Sequence, residues 1–152
     1  MMGDELIQIL MAFLGTIGFA IFFNIRKTRL LLVGIGGAVI WTVFLVVDHF
    51  TGQEMIALFV ASLLASVFAE VLARVVKSPA TVLLIPMVIA LIPGGNLYYT
   101  MFHMVQGHAI LFQSYLKLVL QEAASIALGV MIVTSAMQVV QKSRIYHQKK
   151  SA

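Results

Sequence analysis

The sequence predicts an all-α integral membrane protein with about five transmembrane helices, the fourth broken by proline and glycine. Composition is the first ground. Of 152 residues, 61% are hydrophobic and 11% charged, against about 25% charged in an ordinary soluble domain. So few polar residues cannot cover the surface of a soluble protein of this size. The second ground is patterning: long apolar runs alternate with short basic or turn-forming clusters. The third is that all three prolines, Pro79, Pro86 and Pro93, fall between Lys77 and Met101 in an otherwise apolar stretch. The net charge of +4 is no nucleic-acid signal, because the basic residues lie between apolar runs. Without cysteine, disulfide and thiolate-metal chemistry is excluded.

The first expected span is about 6–25, long enough for a bilayer core. No Lys or Arg precedes it, so it lacks a secretory n-region and reads as a retained span. Arg26, Lys27 and Arg29 follow. The second span is about 30–47, with Gly34, Gly36 and Gly37 allowing close helix approach; Asp48, His49, Thr51 and Gly52 mark its end. The third is about 55–76. The fourth is about 79–93, with Pro79 suited to a first helical turn and Pro86 and Pro93 each removing a backbone donor inside the apolar run. Gly94 and Gly95 then permit the backbone to leave helical geometry, so an unravelled stretch is expected between Pro86 and Asn96. A segment at 97–106 should be helical at the membrane face. The last helix starts near Ala109 and reaches about Gln141, roughly 48 Å at 1.5 Å per residue, with its spanning part at about 118–137. The chain divides into a single membrane domain, 1–141, and a basic tail, 142–152.

Orientation follows from the basic residues. Five spans put nine of them (Arg26, Lys27, Arg29, Arg74, Lys77, Lys142, Arg144, Lys149 and Lys150) on one side and Lys117 on the other. The basic side is cytoplasmic, so the N-terminus is outside and the C-terminus inside. Four spans would place the C-terminal cluster outside, against that rule.

Short, Pro/Gly-interrupted apolar segments point to a transporter's binding site, and non-helical backbone at membrane depth survives only against protein or a water-filled cavity. The expected substrate path is therefore Pro86, Pro93, Gly94, Gly95, Asn96, Tyr98 and Tyr99. A kinked helix that only packs well is the plainer reading of the same residues. Ala57, Ala61, Ala65, Ala69 and Ala73 recur every four residues and share a helix face, which suits close helix packing. Glu70 and Glu122 are candidate coupling carboxylates; the plainer readings are an i,i+4 ion pair of Glu70 with Arg74 and an interface position for Glu122. Trp41, Tyr98, Tyr99 and Tyr115 suit interfacial anchors. His103 and His108, five apart across a glycine, do not make a helical ligand pair, so no metal site and no cofactor is expected. No hydrolase triad, HExxH or nucleotide-binding glycine loop appears, and an intramembrane enzyme acting through the two histidines ranks last.

From Ser78 to Met101 the run Ser78-Pro79-Ala80-Thr81, Ile85-Pro86, Ile92-Pro93-Gly94-Gly95 and Tyr98-Tyr99-Thr100-Met101 resembles the signature of the threonine/serine exporter family. Narrowly, the chain resembles a small subunit equivalent to the exporter's C-terminal membrane half. Gly18-Phe19-Ala20, Phe23-Asn24, Gly34-Ile35-Gly36-Gly37 and Trp41 fit as well. Family members often carry another Gly or Pro between the two later prolines; Met87 to Ile92 hold neither. The resemblance implies a secondary transporter of the cytoplasmic (inner) membrane, exporting small amino acids or a dicarboxylate. It also implies a larger partner resembling the N-terminal half. An odd span count suits an inverted partner with the site at the shared interface. The competing reading is a structural or assembly subunit that packs through its alanine face against a transporting partner and lines no path itself; a homo-oligomer is a further expected assembly.

Overall fold

A computed structural model describes the backbone of residues 2–150 and the side chains of residues 3–140. The described residues form six helices and no strand: α1 (Met2–Phe22), α2 (Lys27–Thr51), α3 (Glu54–Val76), α4 (Ala80–Ile89), α5 (Gly94–Val105) and α6 (Ala109–Lys150). Four of these, α1, α2, α3 and α6, are long and apolar enough to cross a membrane; a fifth crossing is reached if α4 and α5 count together. The boundaries expected for the first three spans sit inside α1, α2 and α3, apart from a few residues at the end of α1.

The helix ends are set by local chemistry. Asn24 has φ 55°, one of the few non-glycine types that tolerates the left-handed region, and the Ile25 amide returns to the Ala20 carbonyl at 2.9 Å. Gly52 closes α2 in the left-handed conformation, its N–H on the Asp48 carbonyl, the usual glycine stop. Lys77 closes α3 at φ 50° with its amide on Ala73 O. Ser78 N–H reaches the same carbonyl at 3.0 Å, and Arg29 Nη2 donates to Val76 O at 2.6 Å. The basic first turn of α2 thus satisfies a carbonyl left open at the end of α3.

The break in the proline-rich segment is narrower than the sequence predicts. Pro86 lies within α4 and is buried; the helix runs on to Ile89. Only Ala90 to Pro93 separate α4 from α5, and the two axes bend by 60°. Pro86 removes one hydrogen bond, yet α4 continues past it. Pro93 stands where an amide would be needed to continue the helix, and it has none. With φ −73° and ψ 67° it is the centre of an inverse γ-turn, closed by Gly94 N–H on Ile92 O at 2.7 Å. Gly94 and Gly95 do not leave helical geometry; they begin α5.

α3 is the hub, packed against α2, α4 and α6, while α1 lies on α2 and α4 and α5 lies on α6. Small residues set the spacing. A Cβ at Gly37 would collide with Thr16, and one at Gly36 would stand 2.8 Å from both Met87 and Phe68, so α2 needs a bare backbone toward α1 on one side and toward α3 and α4 on the other. At Gly129 of α6 a Cβ would overlap Ser62 and approach Phe59 O to 2.8 Å. Ala57, Ala61, Ala65, Ala69 and Ala73 are all buried within the chain, none more than 8% exposed. α6 has 42 residues, about 63 Å, well beyond the roughly 30 Å hydrocarbon core; it continues past Gln141 through most of the expected basic tail, whose side chains lie outside the described residues.

Candidate functional site

Asn96, in the first turn of α5, extends its side chain to α6, where Nδ2 donates to Glu122 Oε1 at 2.6 Å. Glu122 is 2% exposed, and its second oxygen, Oε2, has no hydrogen-bond partner among the described residues. A carboxyl group in a membrane-spanning helix is costly and marks function by default; one with an unmatched oxygen is costlier still. The polar groups around it are satisfied locally: Thr100 Oγ1 donates to Asn96 O at 2.7 Å, and Ser125 Oγ to Gln121 O at 2.9 Å. No neighbouring hydroxyl is therefore directed at Oε2.

The α4–α5 link and the start of α5 form one wall of a cleft of about 300 Å³, at the lower end of small-molecule sites. Leu91, Ile92, Pro93, Gly94, Gly95 and Asn96 line that wall; Trp41 and Phe44 come from α2, Glu54 and Leu58 from α3. No lysine or arginine lines it. Glu54 stands in the first turn of α3, after the Gly52 turn. Leu97 N–H takes Pro93 O at 3.0 Å, whereas the amides of Gly95 and Asn96 have no backbone partner among the described residues, as expected of a helix start. Neither Gly94 nor Gly95 has a positive φ, and no atom lies within 4 Å of a Cβ at either. Nothing in the packing demands glycine there. What two glycines do provide is an uncovered backbone facing the cleft.

The sequence-predicted path residues do not all meet. Pro93, Gly94, Gly95 and Asn96 share the cleft, and Asn96 ties it to Glu122. Pro86 is packed inside α4 among Leu83, Leu84 and Met87. Tyr98 and Tyr99 are exposed, at 63% and 47%. Tyr98 stacks on Phe102, Tyr99 on His103 and Tyr115, an aromatic patch outside the cleft. Glu70 pairs with Arg74 at 3.8 Å and lies 16 residues along α3 from Glu54, about 24 Å. The two candidate carboxylates are thus at opposite ends of the bundle. His103 and His108, brought together by Gly107 at φ 71°, approach to 3.3 Å between Nδ1 atoms; no group of three or more metal-ligating side chains occurs among the described residues. Sequence reasoning did not place Glu54, Trp41 or Phe44 in the site. Glu54 reads as an ordinary first-turn acid, and no spacing rule joins Trp41 to a proline break 50 residues later.

Comparison with known families matches residues 8–136 to the family described as Threonine/Serine exporter, ThrE. No curated protein and no solved structure matches the chain.

Proposed function

The chain belongs to the threonine/serine exporter family, a family of transporters, and from that premise we propose that the cleft between α2, α3 and α5 is its substrate site. The substrate is a small amino acid. Its carboxylate would lie on the open amides at the start of α5, where the partial positive charge of a helix N-terminus favours an anion, and the two glycines would let it approach the backbone. Its ammonium would face Glu54 and the Asn96–Glu122 pair. The buried Glu122 carries this reading: a carboxyl group with a free oxygen, held by a residue of the cleft wall, can exchange a proton or an ammonium contact during transport. Glu122, not Glu70, is then the coupling carboxylate, and Glu70 serves an ion pair. A dicarboxylate fits poorly, since the cleft lining has an acid and no base.

The same proposal places the chain in the cytoplasmic membrane as five spans with α4 and α5 as one bent crossing, the N-terminus outside, and a larger subunit resembling the family's N-terminal half as partner. An assembly-only role receives less support. The alanine face that would serve it is already buried against this chain's own helices. The test is efflux from cells loaded with threonine or serine. Glu122→Gln, which keeps the shape and the Asn96 contact, should lower efflux on the order of tenfold or more at unchanged membrane abundance. Efflux within twofold of the parent would remove Glu122 from the mechanism.

A further inference from the structure

Trp41 has a part in this site that its place in the sequence does not announce. It is half-buried and borders two cavities: the polar cleft with Glu54 and Asn96, and an apolar groove along α1 that begins at Gln8. Its only polar atom points away from the first. Indole Nε1 donates to Gln8 Oε1 at 3.3 Å, on the α1 side. What the residue can offer the cleft is therefore ring carbon. Phe44 lines the same cleft, its ring centroid 5.0 Å from that of Trp41 at an interplanar angle of 36°. The cleft thus combines an aromatic pair, an acid at Glu54, and the Asn96–Glu122 pair behind it, with no basic side chain.

We propose that Trp41, with Phe44 behind it, is a recognition wall for the substrate's ammonium group, which the indole face receives while Glu54 supplies the opposite charge. An aromatic face attracts a cation through its quadrupole, most strongly for tryptophan, and more so where water is excluded. The inference rests on the cleft being the substrate site and goes beyond it in naming the group recognised. It makes the ammonium the required feature and the carboxylate the lesser one. A small primary amine with a hydroxyl but no carboxylate, such as ethanolamine, should then still be bound, and succinate should not.

Trp41 is the chain's single tryptophan, so its fluorescence reads this wall directly. The full chain, or the complex if a partner co-purifies, is reconstituted in lipid nanodiscs. Its emission is taken as the difference from the Trp41→Phe variant, while thermal shift reports binding independently. Threonine, serine and ethanolamine should change the difference spectrum saturably, and succinate should leave it flat. In efflux assays Trp41→Phe should keep KM within about threefold, because an aromatic face remains. Trp41→Leu should raise KM on the order of tenfold with little change in maximal rate. Threonine binding by thermal shift with no change in Trp41 emission would overturn the proposal. So would Trp41→Leu with parental KM, or a response to succinate equal to that for threonine. Each of these leaves the Glu122→Gln result free to stand, so the wall and the site can fail separately.

Discussion

At the scale of single residues, the contrast between Glu122 and Glu70 is one of environment. Both were visible as acids in apolar helices. Glu70 is one helical turn from Arg74, whose side chain is 52% exposed, and pairs of that kind contribute at most about 0.5 kcal/mol. Glu70→Gln should therefore leave thermal stability in detergent nearly unchanged and efflux within about twofold. Glu122 depends on one hydrogen bond from Asn96. Asn96→Ala would leave both of its oxygens buried without a partner, a loss of about 1–3 kcal/mol. The variant should melt earlier than the parent and transport poorly. An Asn96→Ala protein of parental stability would show that the Asn96–Glu122 contact holds nothing in place.

At the scale of elements, the two prolines in the apolar run differ in consequence. Pro86 is accommodated inside α4, with helix on both sides. Pro93 ends helical hydrogen bonding and turns the chain by 60° into α5. Pro93→Ala restores an amide that can reach the Ile89 carbonyl, so α4 and α5 should straighten toward one helix and withdraw Gly94, Gly95 and Asn96 from the cleft. Efflux should fall sharply at normal abundance, while Pro86→Ala should keep most of it. Equal effects of the two substitutions would show that the bend is not what shapes the site. A sequence can point to a disruption at a proline, because a missing donor is a property of one residue. Where the helix actually stops depends on which lost hydrogen bond the neighbours make good, and that is a matter of packing.

At the scale of the whole molecule, the bent α4–α5 pair decides the parity of the topology. Counted as one crossing, as proposed, it would put the chain ends on opposite sides and gather Arg26, Lys27, Arg29, Arg74 and Lys77 on the cytoplasmic face. It would also put Glu54, Asn96 and the cleft mouth toward the outside. Because the chain has no cysteine, single cysteines can be introduced on an unlabelled background. A cysteine at Gly3 should react with an impermeant maleimide in intact cells, and one at Ser151 only after permeabilisation. Reaction of both from the same side would mean that α4 and α5 enter and leave by one face.

The sequence by itself determined the solvent and the all-helical class, since apolar run length and the lack of polar surface are local quantities. It also marked Gly34, Gly36 and Gly37 as points of close helix contact. Only the tertiary structure decided which polar groups share a space. Asn96 and Glu122 lie 26 residues apart, and Trp41 and Glu54 share a cleft with Asn96 from two further helices. Such a constellation is fixed by how α2, α3, α5 and α6 stack through their small residues, and lateral stacking leaves no periodic trace in any one segment of the chain.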